Sequence, residues 1–127
     1  MRNITDLMTR DVLSFQVNTP LQDAIKVLIE NKISGAPVIT EEGHIVGVIT
    51  ELDLMTIYWN KEAKVIGDVM TIRPFSFSIR TPIVDVVDCL MANNFRRVFV
   101  HDGHNRLVGL VSRSDLMPWV LESLINR

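Results

Sequence analysis

Shifting the chain by 62 residues lays its first half on its second without a gap, and 17 of the 52 pairs from Ile4/Ile66 to Met55/Met117 are identical. Asp6-Leu7-Met8-Thr9 falls on Asp68-Val69-Met70-Thr71, Thr19-Pro20 on Thr81-Pro82, Val46-Gly47 on Val108-Gly109, and Asp53-Leu54-Met55 on Asp115-Leu116-Met117. Unrelated segments of this length share only a few positions. A duplication constrains the fold because whatever one copy forms, the other forms too. The division expected from the repeat is residues 1–62 and 63–127. A copy of that size buries too little surface to be comfortably stable alone. Two copies packed through their sheets, related by a pseudo-twofold axis, solve this and leave two related clefts.

Each copy reads as β-α-β-β-α, an α+β unit. A short apolar segment follows Met-Thr: Val12-Leu13-Ser14-Phe15 in one copy, Pro74-Phe75-Ser76-Phe77 in the other. Thr19-Pro20 and Thr81-Pro82 look like an N-cap with proline opening a helix. Leu21, Ala24, Ile25 and Leu28, and then Ile83, Val86, Val87 and Leu90, fall at i, i+3, i+4 and i+7, the spacing of one buried helical face. Two strands follow in each copy, at about 37–40 and 45–50 and at about 98–101 and 107–112, joined by acidic turns that contain glycine. A second helix opens at Glu51 or Arg113. Its apolar residues (Leu54, Met55, Ile57 and Tyr58; Leu116, Trp119, Val120 and Leu124) are more numerous than an exposed helix needs, which predicts a homodimer through these helices.

Charge and cysteine content narrow the function. The net charge of -2 gives no global basic field for nucleic acid. It is split unevenly: residues 1–62 carry five Lys/Arg against nine Asp/Glu, and residues 63–127 carry eight against six. No apolar run approaches a membrane span, and no signal core opens the chain. Cys89, the single cysteine, falls in a helical apolar pattern and reads as a buried, inert thiol. A reducing, cytoplasmic setting is expected. His101, Asp102 and His104 lie at a strand end and its turn, and no further Cys/His set with zinc spacing accompanies them, so no metal site is expected. There is no P-loop, no G-x-S-x-G and no Cys–His or carboxylate pair with a catalytic context; a catalytic function is not expected.

Ile33-Ser34-Gly35-Ala36-Pro37-Val38 with Gly47-Val48-Ile49-Thr50-x-x-Asp53, and Phe95-Arg96-Arg97-Val98-Phe99-Val100 with Gly109-Leu110-Val111-Ser112-x-x-Asp115, complete the two sets of motifs. With the Met-Thr segments, they make each copy resemble a CBS domain and the chain resemble a stand-alone CBS pair, or Bateman module. The resemblance implies a regulatory module that binds AMP, ADP, ATP, adenosine or S-adenosylmethionine in its clefts, AMP first among them, and acts on a partner protein as a homodimer. It also assigns residues. Asp53 and Asp115 would accept from ribose hydroxyls, with Thr50 and Ser112 near the sugar or phosphate. The adenine slot would be formed by Asp11, Val12 and Leu13 with Ala36 and Pro37, and by Ile72, Arg73, Pro74 and Phe75 with Val98 and Phe99. Ser34 and Gly35 in one copy, and Arg96 and Arg97 in the other, stand at the phosphate position.

The residues by themselves leave these assignments open. Thr50-x-x-Asp53 and Ser112-x-x-Asp115 are equally capping boxes. Thr19-x-x-x-Asp23 precedes a proline-led helix and reads as capping alone. Apolar slot residues are as readily core, and Arg96-Arg97 as readily a solvated pair. Arginine before the second strand of the second copy alone, together with the charge split, predicts that a phosphorylated ligand prefers the second copy. A ligand-free dimerisation module and an S-adenosylmethionine sensor are the alternatives.

Overall fold

A computed structural model of the chain describes residues 2–72 and 76–127. Both copies open on a short helical turn built around the same aspartate. Asn3 caps α1 (Ile4–Leu7), and its own backbone N–H donates to Asp6 Oδ2 at 2.9 Å. In the second copy Asp68 accepts from the N–H groups of Lys64 (2.8 Å) and Val65 (3.0 Å) ahead of the 3-10 turn Ile66–Asp68. These two bonds stabilise the charged form and hold the Asp68 carboxyl below its usual range.

The β-α-β-β-α order then appears twice: β1 (Phe15–Gln16), α2 (Leu21–Asn31), β2 (Gly35–Ile39), β3 (Ile45–Thr50) and α3 (Glu51–Met55), which runs on as a 3-10 turn to Tyr58. The second set is β4 (Ser76–Ser78), α4 (Ile83–Ala92), β5 (Arg97–His101), β6 (Leu107–Ser112) and, after a 3-10 turn at Ser114–Leu116, α5 (Met117–Ile125). Each sheet has three strands, in the orders β1-β2-β3 and β4-β5-β6, with a parallel first pair and an antiparallel second pair. The registers agree pair for pair at the repeat spacing. Gly35↔Thr50 becomes Arg97↔Ser112, Val38↔Gly47 becomes Val100↔Gly109, and the same irregularity follows in both.

Thr19 does not cap α2. The N-cap is Pro20, with no side-chain cap bond, and the Thr19 hydroxyl instead accepts from the Gln16 N–H at 3.2 Å. Proline at the cap position moves the helix start one residue on and leaves the threonine to close the preceding turn. Cys89 is half-buried rather than buried; Asn93 Nδ2 donates to its carbonyl at 3.0 Å.

The compact units are Leu13–Pro74 (the first unit) and Met1–Val12 with Phe75–Arg127 (the second unit). Their boundary therefore departs from the repeat boundary at 62/63, and the edge strands explain why. β3 and β6 would each present an unpaired edge, which a protein must cover. Thr71 exchanges both backbone bonds with Val48 at 2.9 Å, and Thr9 pairs with Leu110 at 2.8 and 2.9 Å. Thus the Met-Thr segment of each copy completes the sheet of the other. Gly47 and Gly109 permit this approach: a Cβ on Gly47 would lie 2.8 Å from the Thr71 carbonyl, and one on Gly109 would lie 2.8 Å from the Thr9 carbonyl and 2.7 Å from Met8 Sδ. Pro37 sits in mid-strand at little cost, because Val48 opposite it spends its backbone groups on Thr71.

The cores follow the same exchange. Ile4 and Leu7 join Val86, Leu90, Val98, Val100 and Val111 in the second unit, whereas Ile66 joins Phe15, Ala24, Leu28, Val38 and Ile49 in the first. Ile4 and Ile66 are both 0% exposed.

Candidate functional site

The last strand of each sheet runs directly into a helical turn, and the sequence puts Thr or Ser at the joint with Asp three residues on. In the first unit the Thr50 N–H donates to Asp53 Oδ2 at 2.9 Å, the Thr50 hydroxyl donates to the same oxygen at 3.0 Å, and the Asp53 N–H donates to the Thr50 hydroxyl oxygen at 3.2 Å. In the second unit the Ser112 N–H donates to Asp115 Oδ2 at 2.9 Å and the Asp115 N–H to the Ser112 hydroxyl at 3.2 Å. Both acids are half-buried capping residues as well as candidate ligand groups.

A third residue completes each pair, and it comes from the other copy. The Thr71 hydroxyl donates to Asp53 Oδ1 at 3.1 Å; the Thr9 hydroxyl lies 3.3 and 3.5 Å from the Asp115 oxygens. Sequence reading placed the Met-Thr segments ahead of the adenine slot of their own copy and gave these threonines no part. The signal was present in Gly47 and Gly109, whose missing side chains admit a crossing segment, but one sequence does not say which segment crosses.

Beside Ser112 a cleft of about 510 Å³ is lined by Arg96, Arg97, Leu110, Ser112, Arg113 and Ser114. It brings together three of the expected residues and adds three that were not singled out. Arg97 is half-buried at the start of β5, while Arg96 and Arg113 stand exposed at the rim. Arg113 is oriented by the chain: its Nε donates to the Phe95 carbonyl and a terminal nitrogen to Asn94 Oδ1, both at 2.8 Å. The single ion pair among the described residues is Arg2–Glu122 at 2.6 Å, so none of these three arginines is ion-paired with a described carboxylate. The Ser112 and Ser114 hydroxyls share a hydrogen bond of 3.0 Å in the same lining.

The remaining expected residues are distributed differently. Ala36 and Val98 lie in the two cores, and Pro37 and Phe99 are buried as well, so their side chains have little free surface. Asp11 is exposed and Val12 half-buried in the second unit, and Leu13 packs on the core of the first. Ile72 is 72% exposed, and Arg73, Pro74 and Phe75 lie outside the described residues. Ser34 and Gly35 hold the places of Arg96 and Arg97, and Glu51 that of Arg113. The Glu51 N–H meets the Ser34 carbonyl at 3.0 Å, as the Arg113 N–H meets that of Arg96 at 3.0 Å.

His101 Nδ1 lies 3.0 Å from the Ser76 hydroxyl, and Asp102 closes the β5–β6 turn by accepting from His104 (2.8 Å) and Arg106 (3.0 Å). Those backbone bonds, from Arg106 first and then His104, hold the Asp102 carboxyl below its usual range. On the second helices, Leu116 is buried, and Leu54, Ile57 and Trp119 turn inward onto their own cores. The other four expected residues, Met55, Tyr58, Val120 and Leu124, are exposed, and Leu52, Trp59, Met117, Leu121 and Ile125 extend the apolar surface.

Comparison with known proteins agrees with this architecture. The family model described as CBS domain matches twice, at residues 4–60 and 66–122. The chain is 24% identical over 151 residues to the chloroplastic CBS domain-containing protein CBSX1 of Arabidopsis thaliana, covering 94% of this chain and 64% of that protein. It spans 57% of CBSX2 from the same plant, so it is shorter than two thirds of either relative. Among solved structures it is similar to CBSX2 in complex with AMP, with a TM-score of 0.85 and 29% identity over 100% of both chains. The fold is also that of the CBS domain pair of protein MJ0100 in complex with 5′-methylthioadenosine and S-adenosyl-L-methionine, with a TM-score of 0.78 and 24% identity over 97% of this chain and 98% of that one. Two family matches that span most of the chain, on two sheets in one register, establish that the chain belongs to the CBS domain family.

Proposed function

We propose that the chain is a regulatory module that binds an adenine nucleotide beside Ser112 and Asp115 and conveys its occupancy to a partner protein. The carrying observation is that Ser112, which is bonded to that acid, also lines the arginine cleft. A carboxylate has about four lone-pair sites. Capping by Ser112 and the Thr9 contact leave acceptor capacity for ribose hydroxyls. Arg97, in the same cleft as Ser112, offers paired donors that fit a phosphate. Leu110 supplies apolar surface for the base. AMP is the smallest ligand that uses all three features, and CBSX2, solved with AMP, supports the choice. Binding, not turnover, is the proposed activity.

Mass spectrometry of small molecules released by denaturing the purified protein tests the ligand class. Adenine nucleotides are the expected yield; S-adenosylmethionine or nothing would favour the other sensor or the ligand-free dimerisation module. Calorimetry then tests the residues. A hydrogen bond to a charged group contributes about 1.5–3 kcal/mol, so Asp115→Asn should weaken AMP about 10- to 150-fold. Arg97→Ala should weaken AMP to a similar order and leave adenosine nearly unchanged. Equal losses for both ligands would make Arg97 structural.

We also propose a homodimer. Leu52 (76% exposed), Met55 (66%) and Tyr58 (72%) in the first unit, and Leu121 (56%), Leu124 (55%) and Ile125 (71%) in the second, are a large apolar cost to leave in water. Sedimentation at micromolar concentration should give twice the chain mass; a monomer would remove this part of the account.

A further inference from the structure

One exposed hydroxyl stands among the cations of the second-unit cleft, and its position in the other copy holds none. Ser114 follows Arg113 directly and lines the same cleft as Arg96, Arg97 and Arg113. Its hydrogen bond of 3.0 Å to the Ser112 hydroxyl ties it to the end of β6. At the repeat spacing Ser114 matches Leu52, which is 76% exposed, and the three arginines match Ser34, Gly35 and Glu51. The hydroxyl at this position and the cations around it are thus present together in one copy and absent together from the other. Among the described residues the Arg96 and Arg97 side chains have no hydrogen bond or ion pair of their own. Arg113 donates to the Phe95 carbonyl and to Asn94 and keeps its other guanidinium donors. Against these cations stands Asp115, whose carboxylate accepts from the Ser112 N–H and the Thr9 hydroxyl.

From this arrangement we infer that Ser114 is a phosphorylation site whose phosphate settles on the arginines of its own cleft and bars a phosphorylated ligand from it. A phosphoserine carries a charge of about −1.5 to −2 at neutral pH and several strong acceptor oxygens. Arginine meets such a group through paired N–H donors. The modification is a phosphoryl transfer from a nucleoside triphosphate held by a separate protein kinase. The Ser114 oxygen bonds the γ-phosphorus, the bond to the β-phosphate oxygen breaks, the hydroxyl proton passes to the kinase's base, and a nucleoside diphosphate leaves. The first copy, with Leu52 and Glu51 at these places, can neither take the group nor hold it, so the switch acts on one cleft of each chain. Docking of the phosphate rests on the cleft alone; exclusion of a ligand rests on the adenine-nucleotide reading.

The full chain with phosphoserine genetically encoded at position 114 tests both parts. Phosphorus NMR should give the phosphate a titration midpoint of about 5 or lower, against about 6 for a solvated phosphoserine, and the same chain unfolded in urea should return to about 6. Arg96→Gln in the phosphorylated chain should raise the folded midpoint; Arg96 is the residue to change because Arg113 also holds Asn94. Calorimetry should show AMP weakened about tenfold or more against the unmodified chain, the loss of one charge-assisted contact, with adenosine changed far less. Phosphopeptide mass spectrometry of the chain recovered from its own cells should find the phosphate on Ser114. A folded midpoint of about 6 that Arg96→Gln does not move overturns the docking, whether or not AMP binds. A lowered midpoint with AMP binding unchanged overturns the exclusion. Phosphate on other residues only, or on none, overturns the modification. An unmodified chain that binds neither AMP nor adenosine overturns the nucleotide reading instead, and the midpoint alone then decides the docking.

Discussion

Gly109 does more for the site than any charged residue suggests. It sits where the Met8-Thr9 backbone crosses β6, and its lack of a side chain lets Thr9 reach Asp115. A methyl group there would be 2.7 Å from Met8 Sδ and 2.8 Å from a carbonyl oxygen, one of which is backbone and cannot swing aside. Gly109→Ala should cost about 1–3 kcal/mol, the usual range for overpacking a close contact, and should weaken AMP by displacing Thr9. Gly103→Ala is its control, since nothing lies within 4 Å of the added methyl. Urea denaturation of both variants checks the pair; equal, small effects would mean that the crossing segment is loosely held. The acids and the joint residues Thr50 and Ser112 were legible in the sequence because their chemistry is local to a strand–helix joint, and the arginine pair because it stands together at the entry to β5. Thr9, Thr71 and Arg113 were not. The threonines act on the copy that does not contain them, and Arg113 occupies an unmarked position within T/S-x-x-D.

At the scale of elements, the repeat keeps backbone shape with unlike residues. Lys32 and Asn94 end α2 and α4 in the left-handed region, at φ 55° and 54°; Gly43 and Asn105 turn the hairpins at φ 90° and 60°. Asparagine and glycine suit such angles, and lysine does not. Lys32→Asn should therefore stabilise the chain by a few tenths to about 1 kcal/mol, read as a higher urea midpoint at unchanged slope. A lower midpoint would show that the Lys32 side chain contributes more than its backbone strain costs. Helix periodicity and strand spacing gave the order of elements because both signals lie within ten residues or so; the start of α2 escaped, since Thr19-Pro20 fits either a cap or a turn. The β5–β6 turn offers a pH test. Asp102 titrates below its ordinary value of 3.8 because its charged form receives the His104 and Arg106 N–H groups. A depressed folded value means that its stabilisation is present above the usual carboxylate range and is lost as pH falls through the lower value. The His104 and Arg106 amide signals should shift with a midpoint below 3.8 and stop doing so in Asp102→Asn; a midpoint at or above 3.8 would contradict the bonding described.

For the whole molecule, the exchange of opening segments matters more than the duplication itself. Recounted over the compact units, the first carries five Lys/Arg against eight Asp/Glu and the second eight against seven. The first unit is therefore still the more acidic, though the contrast is smaller than the one the repeat boundary gave. That boundary was readable from identities alone; the exchange was not, because Ile4 and Ile66 are the same residue and each fits either core. Removing residues 2–9 should strip Ile4, Leu7 and Thr9 from the second unit, so amide exchange should accelerate in β5 and β6 while β2 and β3 stay protected. Acceleration in β2 and β3 instead would mean that the segment serves its own copy. The central claim, an adenine nucleotide held beside Asp115, is tested most directly by adding AMP to isotopically labelled chain and mapping the amide shifts. The account predicts saturable shifts at Thr9, Arg97, Ser112 and Ser114, with the matching residues of the first unit, Gly35 and Thr50, weaker or silent. Shifts confined to the exposed faces of α3 and α5, or no saturable shift at all, would contradict it.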